Sequence, residues 1–584
     1  MASFTDSIAA IEQAIHRSVS KEIPWDLVTK FMSFIRESGT EGEWKAAHYI
    51  HDKLKGWGAN VTMFTLELLI SIPREAKLEV SGLGPVRAKT PVFSISTPGI
   101  EADAIYIPAP KVHRIEDMFS TRGEDQDVAG KIVITEGMAM PLRVSDYERR
   151  GALAQIYIHP GSAIHEGTCT PIWGTPTLAS LETKPKSAVV CINAVDGAKL
   201  IDLAKAGPIR ARVSTRLDEG WVKCPLNTVW IEGYEEPEKF VLVHGHLDSW
   251  YEGIGDNATG DAALLELARV FTEHRGKLRR SLRVCWWPGH SQGRYAGSTW
   301  FADEFARDLT RNCIAQIDID SPGCRDATEY MEDVMWMRET DAFCQDVIRG
   351  VTGKDSRGKR PIRAGDYSFN QIGLTGFFML LSNIPPARRK ELGYNYIVGG
   401  CGGNIAWHTE SDVLEVGDPD VLETDIKIYV SAITRLLNAD VFPFRHSLAA
   451  AEILEQLEQY QAAAKDHLDL SQAIQAASEL KSALETFERA AQSAPPEKHR
   501  AINQAMLDLG RLLVPINYAR GERFDHDPAI HLGTIPRLDR AAVLPTLVQD
   551  HQRYRCLQTE LVRERNKIVD QLDTARLLAE RVSE

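Results

Sequence analysis

The run "KFVLVHGHLDSWYEGIGDNATGDAALLELAR", Lys239–Arg269, decides the fold. It opens as a buried apolar strand, "KFVLV", passes into a loop rich in His, Asp and Gly, and ends in the helix "DAALLELAR". The same order repeats downstream. "SLRVCWWPGH" is a strand and loop, "STWFADEFARDL" a helix, "CIAQIDIDSPG" a strand and loop, and "GLTGFFMLLS" a strand. Strands alternating with helices predict an α/β fold, a mixed and mostly parallel sheet flanked by helices. In such sheets functional groups sit just past the carboxyl ends of the strands.

Three units are expected. Residues 1–90 and 226–445 make the α/β unit. It begins with a charged N-terminal helix, then an amphipathic helix from Glu43 to Lys55, stopped by Gly56 and Gly58, and a strand from Asn60 to Leu68. Residues 91–225 form a β-rich insertion of short runs, "DAIYI", "GKIVITEG", "AQIYIHP" and "SAVVCI", punctuated by Gly and Pro. Residues 446–584 turn helical, with Ile453, Leu457 and Tyr460 on one face. A length of 584 residues exceeds one core and fits this division.

Composition narrows the class. Net charge is -14, which argues against nucleic acid or an acidic membrane surface as partner. Nine cysteines, an odd number with no CxxC pair, fit a reducing compartment better than a disulfide-stapled one. No signal-like start is read, and no stretch approaches the roughly 18 apolar residues of a membrane span. The expectation is a soluble cytoplasmic protein.

The chemistry is read from the strand ends. "VHGHLDSWYEGIGDN" supplies His246, Asp248 and Asp256, "QIDIDSPG" supplies Asp318 and Asp320, and "WHTESDVLE" supplies His408, Glu410 and Asp412. Imidazoles and carboxylates from separate loops, converging on one sheet edge, suit a Zn²⁺-type site. Singly, each has a plain structural reading: Asp256-Asn257 could cap the following helix, and Asp320 could be a turn residue. Together they point to a divalent metal.

With these residues in place, the chain resembles the dinuclear zinc peptidase family that includes glutamate carboxypeptidase II and the transferrin receptor, over nearly its whole length. The resemblance implies His246, Asp256, Asp320 and His408 as metal ligands, with Asp256 bridging and Asp248 orienting. It also implies that the insertion, with "VAGKIVITEG", is a protease-associated domain, and that the helical end, with "MLDLGRLLVPINYARGERFDHDPAIHLGTIP", is a dimerisation domain of a homodimer.

One segment departs from that pattern. Where the family carries two adjacent glutamates, one a general base and one a metal ligand, this chain reads "RVCWWPGHSQGRYAGSTWF", Arg283–Phe301, with no carboxylate. Counted back from Gly297 the pair falls on Ser291 and Gln292; counted forward from Trp287 it falls on His290 and Ser291. His290 could serve as base or as neutral ligand. Glu410, just past His408, is a second candidate base, and Tyr295 adds a phenol in the His290 loop. His244 and Asp318 could ligate or brace a ligand. Arg294 offers an anion clamp, and Arg363, Asp366 and Tyr367 in "IRAGDYSF" stand where the family places substrate-contacting loops.

Two classes of function follow. One is a metal-dependent hydrolase of an amide-type bond in a small or short peptide-like substrate, with one or two ions, zinc first and Mn or Fe also suited, and an altered base. The other is a non-catalytic scaffold like the transferrin receptor. A lyase or ring-opening reaction at the same metal is a third reading.

Overall fold

The computed structural model describes residues 7–110, 112–120 and 126–583. In chain order its strands are β1 (Asn60–Val80), β2 (Gly84–Val86), β3 (Thr97–Tyr106), β4 (Ile132–Glu136), β5 (Ala154–Ile158) and β6 (Ala188–Ile192). They continue with β7 (Ile209–Ile231), β8 (Glu236–His246), β9 (Arg280–Trp287), β10 (Cys313–Asp318), β11 (Met335–Trp336) and β12 (Gly376–Met379). The sheet order is β11-β12-β10-β8-β9-β7-β3-β4-β5-β6, with β1 along β7. Strands β9, β8, β10 and β12 run parallel, as do β3 to β6. The sheet is mixed and mostly parallel, as the alternation of strand and helix predicts.

The run that opens Lys239–Arg269 shows why. Strand side chains alternate between faces. Val241 and Val243 join Leu282, Val284 and Trp286 in the core under the helices Thr259–Glu273 and Pro419–Asn438. Phe240 and Leu242 join Cys285 and Trp287 in the core on the other face, with Leu66, Leu68 and Ile70. Each fully buried large apolar side chain contributes about 1.5–3 kcal/mol. A strand buried on both faces cannot reach an edge, so its end opens only into the loop that carries the site.

The strand expected to stop at Leu68 continues to Val80. It pairs antiparallel with β7 from Asn60↔Trp230 to Val80↔Ala211, with a register shift between Pro73 and Glu75. Before that shift Leu66, Leu68, Ile70 and Ile72 face the core of Phe240, Leu242, Cys285 and Trp287; beyond it Leu78 and Val80 face a separate core built by β3 to β6. The long β1–β7 ribbon therefore carries the insertion as an extension of the main sheet, with one hydrogen-bonded ladder and two cores.

The N-terminal segment forms two helices, Ile8–Ser18 and Glu22–Phe31. The Ser20 hydroxyl between them accepts the Ile23 N–H at 3.1 Å, which starts the second. The C-terminal unit is helical: His446–Ala464, Ser471–Gln492, Pro496–Tyr518 and His551–Ser583. Ile453 and Leu457 are buried in the main core, with Tyr460 half-buried against it. Arg511 ties this unit to the sheet by donating to the Gly373 and Cys313 carbonyls at 2.8 and 2.5 Å. Among the described residues no helix is long and apolar enough to cross a membrane.

Candidate metal centre and cleft

His246 ends β8. Its Nδ1–H donates to the Asp248 carbonyl at 2.9 Å, which leaves Nε2 as the lone-pair nitrogen. That nitrogen lies 2.9 Å from Asp256 Oδ1 and 3.9 Å from Asp320 Oδ1. His408 repeats the arrangement: Nδ1–H donates to the Glu166 carbonyl at 3.0 Å, and Nε2 lies 3.0 Å from Asp256 Oδ2. Asp256 thus stands between two imidazoles, one oxygen to each. Burial opposes its ionisation, yet the nearness of the His246 and His408 rings outweighs burial and holds its carboxyl well below the usual range.

Asp256 is not a helix cap. The helix starts at Thr259, and the Asp256-Asn257 peptide bond is cis. Asn257 clamps two strand ends together: its amide donates to the Ile319 and His246 carbonyls at 3.0 and 3.3 Å and accepts the Ser321 N–H at 3.0 Å. Gly260 is needed beside it, because a Cβ there would lie 2.0 Å from Asn257 Oδ1. The Asp412 carboxylate accepts the Gly255 and Asp256 N–H groups at 2.7 and 3.0 Å, and burial pushes its pKa up to about 7.

The donor set fits a divalent ion. His246 Nε2 and Asp256 Oδ1 are both buried and make no directed hydrogen bond. Ligands about 2.0–2.2 Å from one ion come about this close to one another. The ligand atoms of His246, His290 and Asp320 all lie within 4.8 Å of one another. His246, Asp256 and Asp320 would hold one ion, and His408 with the second Asp256 oxygen would be free to hold another.

The segment lacking carboxylates is built around His290. Its ring stacks on that of His246 with centroids 3.9 Å apart and planes 16° apart. Nδ1–H donates to Asp366 Oδ2 at 2.8 Å, so Nε2 is the nitrogen left for the cleft that His290 lines. Burial and His246 favour the neutral ring, but Asp366 outweighs them and raises its pKa above the ordinary value. Asp366 also accepts the Ser298 hydroxyl at 2.6 Å, and its N–H donates to Asp318 at 3.3 Å. Asp318 in turn lies 3.4 Å from His244, whose Nε2–H donates to Gln316 at 3.0 Å. His244 and Asp318 therefore brace Asp366 from below. Asp248 fixes the loop by accepting the His290 and Ser291 N–H groups, both at 2.8 Å. Gln292 is turned away: its carbonyl oxygen accepts Ser38 N–H and Oγ–H at 3.0 and 2.8 Å, and its amide donates to Ser249.

The remaining candidates separate. Tyr295 lines the cleft and packs edge-on against His290 at 4.8 Å, with Trp173 4.2 Å away on its other side. Arg294 also lines the cleft. Glu410 does not; its carboxylate is committed to Lys89 at 2.8 Å and Arg87 at 3.0 Å, away from any proton to be moved. Arg363 is a brace: it donates to the Tyr367 and Asp527 carbonyls at 3.1 and 2.6 Å and lies flat on Trp173 at 3.5 Å. Tyr367 is fully buried among Met335, Met337 and Tyr518, out of reach of a ligand. Arg363→Met is expected to cost about 3 kcal/mol in urea unfolding, because two buried carbonyls lose a charged donor; unchanged stability would contradict the bracing role.

The cleft has a volume of about 100 Å³, room for the reacting part of a small molecule, since one water needs roughly 10–15 Å³ on this measure. One side is the metal centre. Met118, Met138, Met140 and Met379 supply apolar wall, and the insertion closes the cleft with His159, His165 and Glu166. His159 directly follows β5 in "YIHPG", much as His246 closes β8. A histidine next to a strand end is the local signal of it in the sequence.

Residues 228–431 match the family model for Peptidase family M28. A probable glutamate carboxypeptidase, VP8, of Zea mays is 27% identical over 159 residues, 25% of this chain and 22% of that protein. Carboxypeptidase Q of Bos taurus is 26% identical over 352 residues, 55% of this chain and 70% of that protein. The structure is similar to that of BSAP, a zinc aminopeptidase from Bacillus subtilis, with TM-score 0.53 and 18% identity over 72% of this chain and 96% of that one. The chain spans about a fifth of the length of the first curated relatives it matches. The family match covers part of the α/β region, and the likeness to the solved structure shows a shared fold.

Proposed function

We propose that this peptidase family M28 chain hydrolyses an amide-type C–N bond in a small or short peptide-like molecule, with His290 in the place of the usual carboxylate base. One observation carries the reading. Asp366 holds His290 Nδ1 at 2.8 Å while the ring lies against His246, so a basic nitrogen faces the same space as the metal ligands. When bound, a divalent ion at His246, Asp256 and Asp320 polarises a carbonyl and acidifies water. Zinc suits this nitrogen–oxygen set and is named for the Bacillus relative; Mn and Fe suit it too.

The chain's own groups do the rest. His290 Nε2 takes the proton of the attacking water, and the Asp366 carboxylate stabilises the imidazolium and keeps the ring in the accepting tautomer. The same nitrogen then returns the proton to the leaving amine. Ser298 keeps Asp366 oriented. Tyr295 fixes the His290 ring by edge contact rather than by moving a proton.

Metal analysis of the purified full chain tests this first. At least one ion per chain is expected, with chelator lowering the melting temperature and abolishing turnover on a panel of amides, ureas and N-acyl amino acids. Zinc or manganese should restore both. A chain without bound metal, indifferent to chelator, is the scaffold instead.

A further inference from the structure

The cleft wall holds few buried polar atoms without a hydrogen-bond partner among the described residues. Asp256 Oδ1 belongs to the metal centre; the others are His159 Nε2 and Arg294 Nε and Nη2. All three are donors. His159 Nδ1 accepts the His165 N–H at 3.0 Å, so in the neutral ring the proton sits on Nε2. Burial keeps that ring neutral by lowering its pKa well below the ordinary value. Arg294 carries a permanent charge.

Arg294 is the more telling of the two. It is 9% exposed, and its nearest described ring contact is Tyr295, 4.9 Å from Cζ. A buried cation without a counter-charge is costly, and proteins seldom keep one without a use. The backbone around it is held out of its ordinary range as well. Arg294 and Tyr295 have φ of 49° and 70°, left-handed values that large side chains rarely adopt. The Arg294 carbonyl is pinned by the Gly174 N–H at 2.6 Å. Consecutive strained residues over-determined by their surroundings are typical of ligand clamps.

We propose that the substrate is a small amide bearing a carboxylate, of the N-acyl amino acid class, with the carboxylate paired to Arg294. His159 donates to a neutral acceptor of the same molecule. An aliphatic acyl group lies against Met118, Met138, Met140 and Met379, whose flexible thioethers accommodate varied shapes. What happens at the amide rests on the hydrolase reading; what the cleft binds does not.

Calorimetry on the zinc-loaded full chain tests it. The probes are N-acyl glycines, alanines and methionines, acetyl to octanoyl, each beside its uncharged carboxamide. The parent should bind carboxylates at least about ten-fold tighter than their twins, the factor expected of one charge-assisted hydrogen bond. R294M should bind both members of a pair alike, and R294K should keep part of the preference. R294M should also melt at or above the parent temperature, because among the described residues the guanidinium it removes has no ion-pair partner to lose and only the Tyr295 ring beside it. Equal affinity within pairs in the parent, no binding by any carboxylate, or a preference that survives in R294M overturns the proposal. Amine release is followed separately. Carboxylate preference without hydrolysis would sink the hydrolase reading alone, and hydrolysis without preference would sink this one alone.

Discussion

In the Asp256→Asn variant both metal positions should empty together. Each Asp256 oxygen faces one imidazole, His246 at 2.9 Å and His408 at 3.0 Å, so a single carboxylate serves two ligand sets. An amide carries no charge to offset a divalent ion and presents one acceptor instead of two. The loss should exceed the roughly 10–100-fold in affinity that removing an outer partner costs. Asp412→Asn gives that comparison, since the Asp412 carboxylate holds the Gly255 and Asp256 N–H groups, with the Cys401 thiol 3.9 Å away. Metal content measured after gel filtration should fall to background in the first variant and only in part in the second. Full metal content in Asp256→Asn would remove this carboxylate from the site. The side chain keeps its volume, so the variant should still fold, and circular dichroism checks that it does.

His290→Ala and Asp366→Asn should each lower kcat by about 10²–10⁴, the range for a positioned acid–base group. The two should not be additive. Asp366 acts through His290: an asparagine amide can donate to Nδ1 and leave the proton on Nε2, where a base is needed. The double variant should therefore be no slower than the slower single one. Metal content separates base from ligand, because His290 also stands within ligand distance of His246 and Asp320. A base lost leaves the ion in place; a ligand lost takes the ion with it. Unchanged turnover in His290→Ala would end both roles.

What could be read without a structure follows the range of the physics. The alternation that makes "KFVLV" a two-faced buried strand and "DAALLELAR" a helix is local, and it carries the loops of His246, Asp256 and Asp320 to one sheet edge. Other features depend on contacts between distant segments. The expected end of β1 at Leu68 was twelve residues short of Val80, because the second core that pulls the strand onward is made by residues far along the chain. "IRAGDYSF" shows three polar side chains in five positions, yet only Asp366 meets His290, while Arg363 and Tyr367 turn into packing. Glu410 follows His408 by two residues and still faces Lys89 and Arg87 instead of the cleft.

The residues alone determined the layered α/β architecture, the helical C-terminal end and the absence of the usual carboxylates between Trp287 and Gly297. These follow from periodicity, spacing and residue type, which are properties of short segments. Only the tertiary structure decided what surrounds His290 and His408. Asp366 lies 76 residues from His290, and Glu166 lies 242 from His408. The left-handed turn at Arg294 and Tyr295 is held in part by a strap from the insertion. Which way a side chain points from such a loop is set by the packing of several separate segments, and no local pattern encodes it.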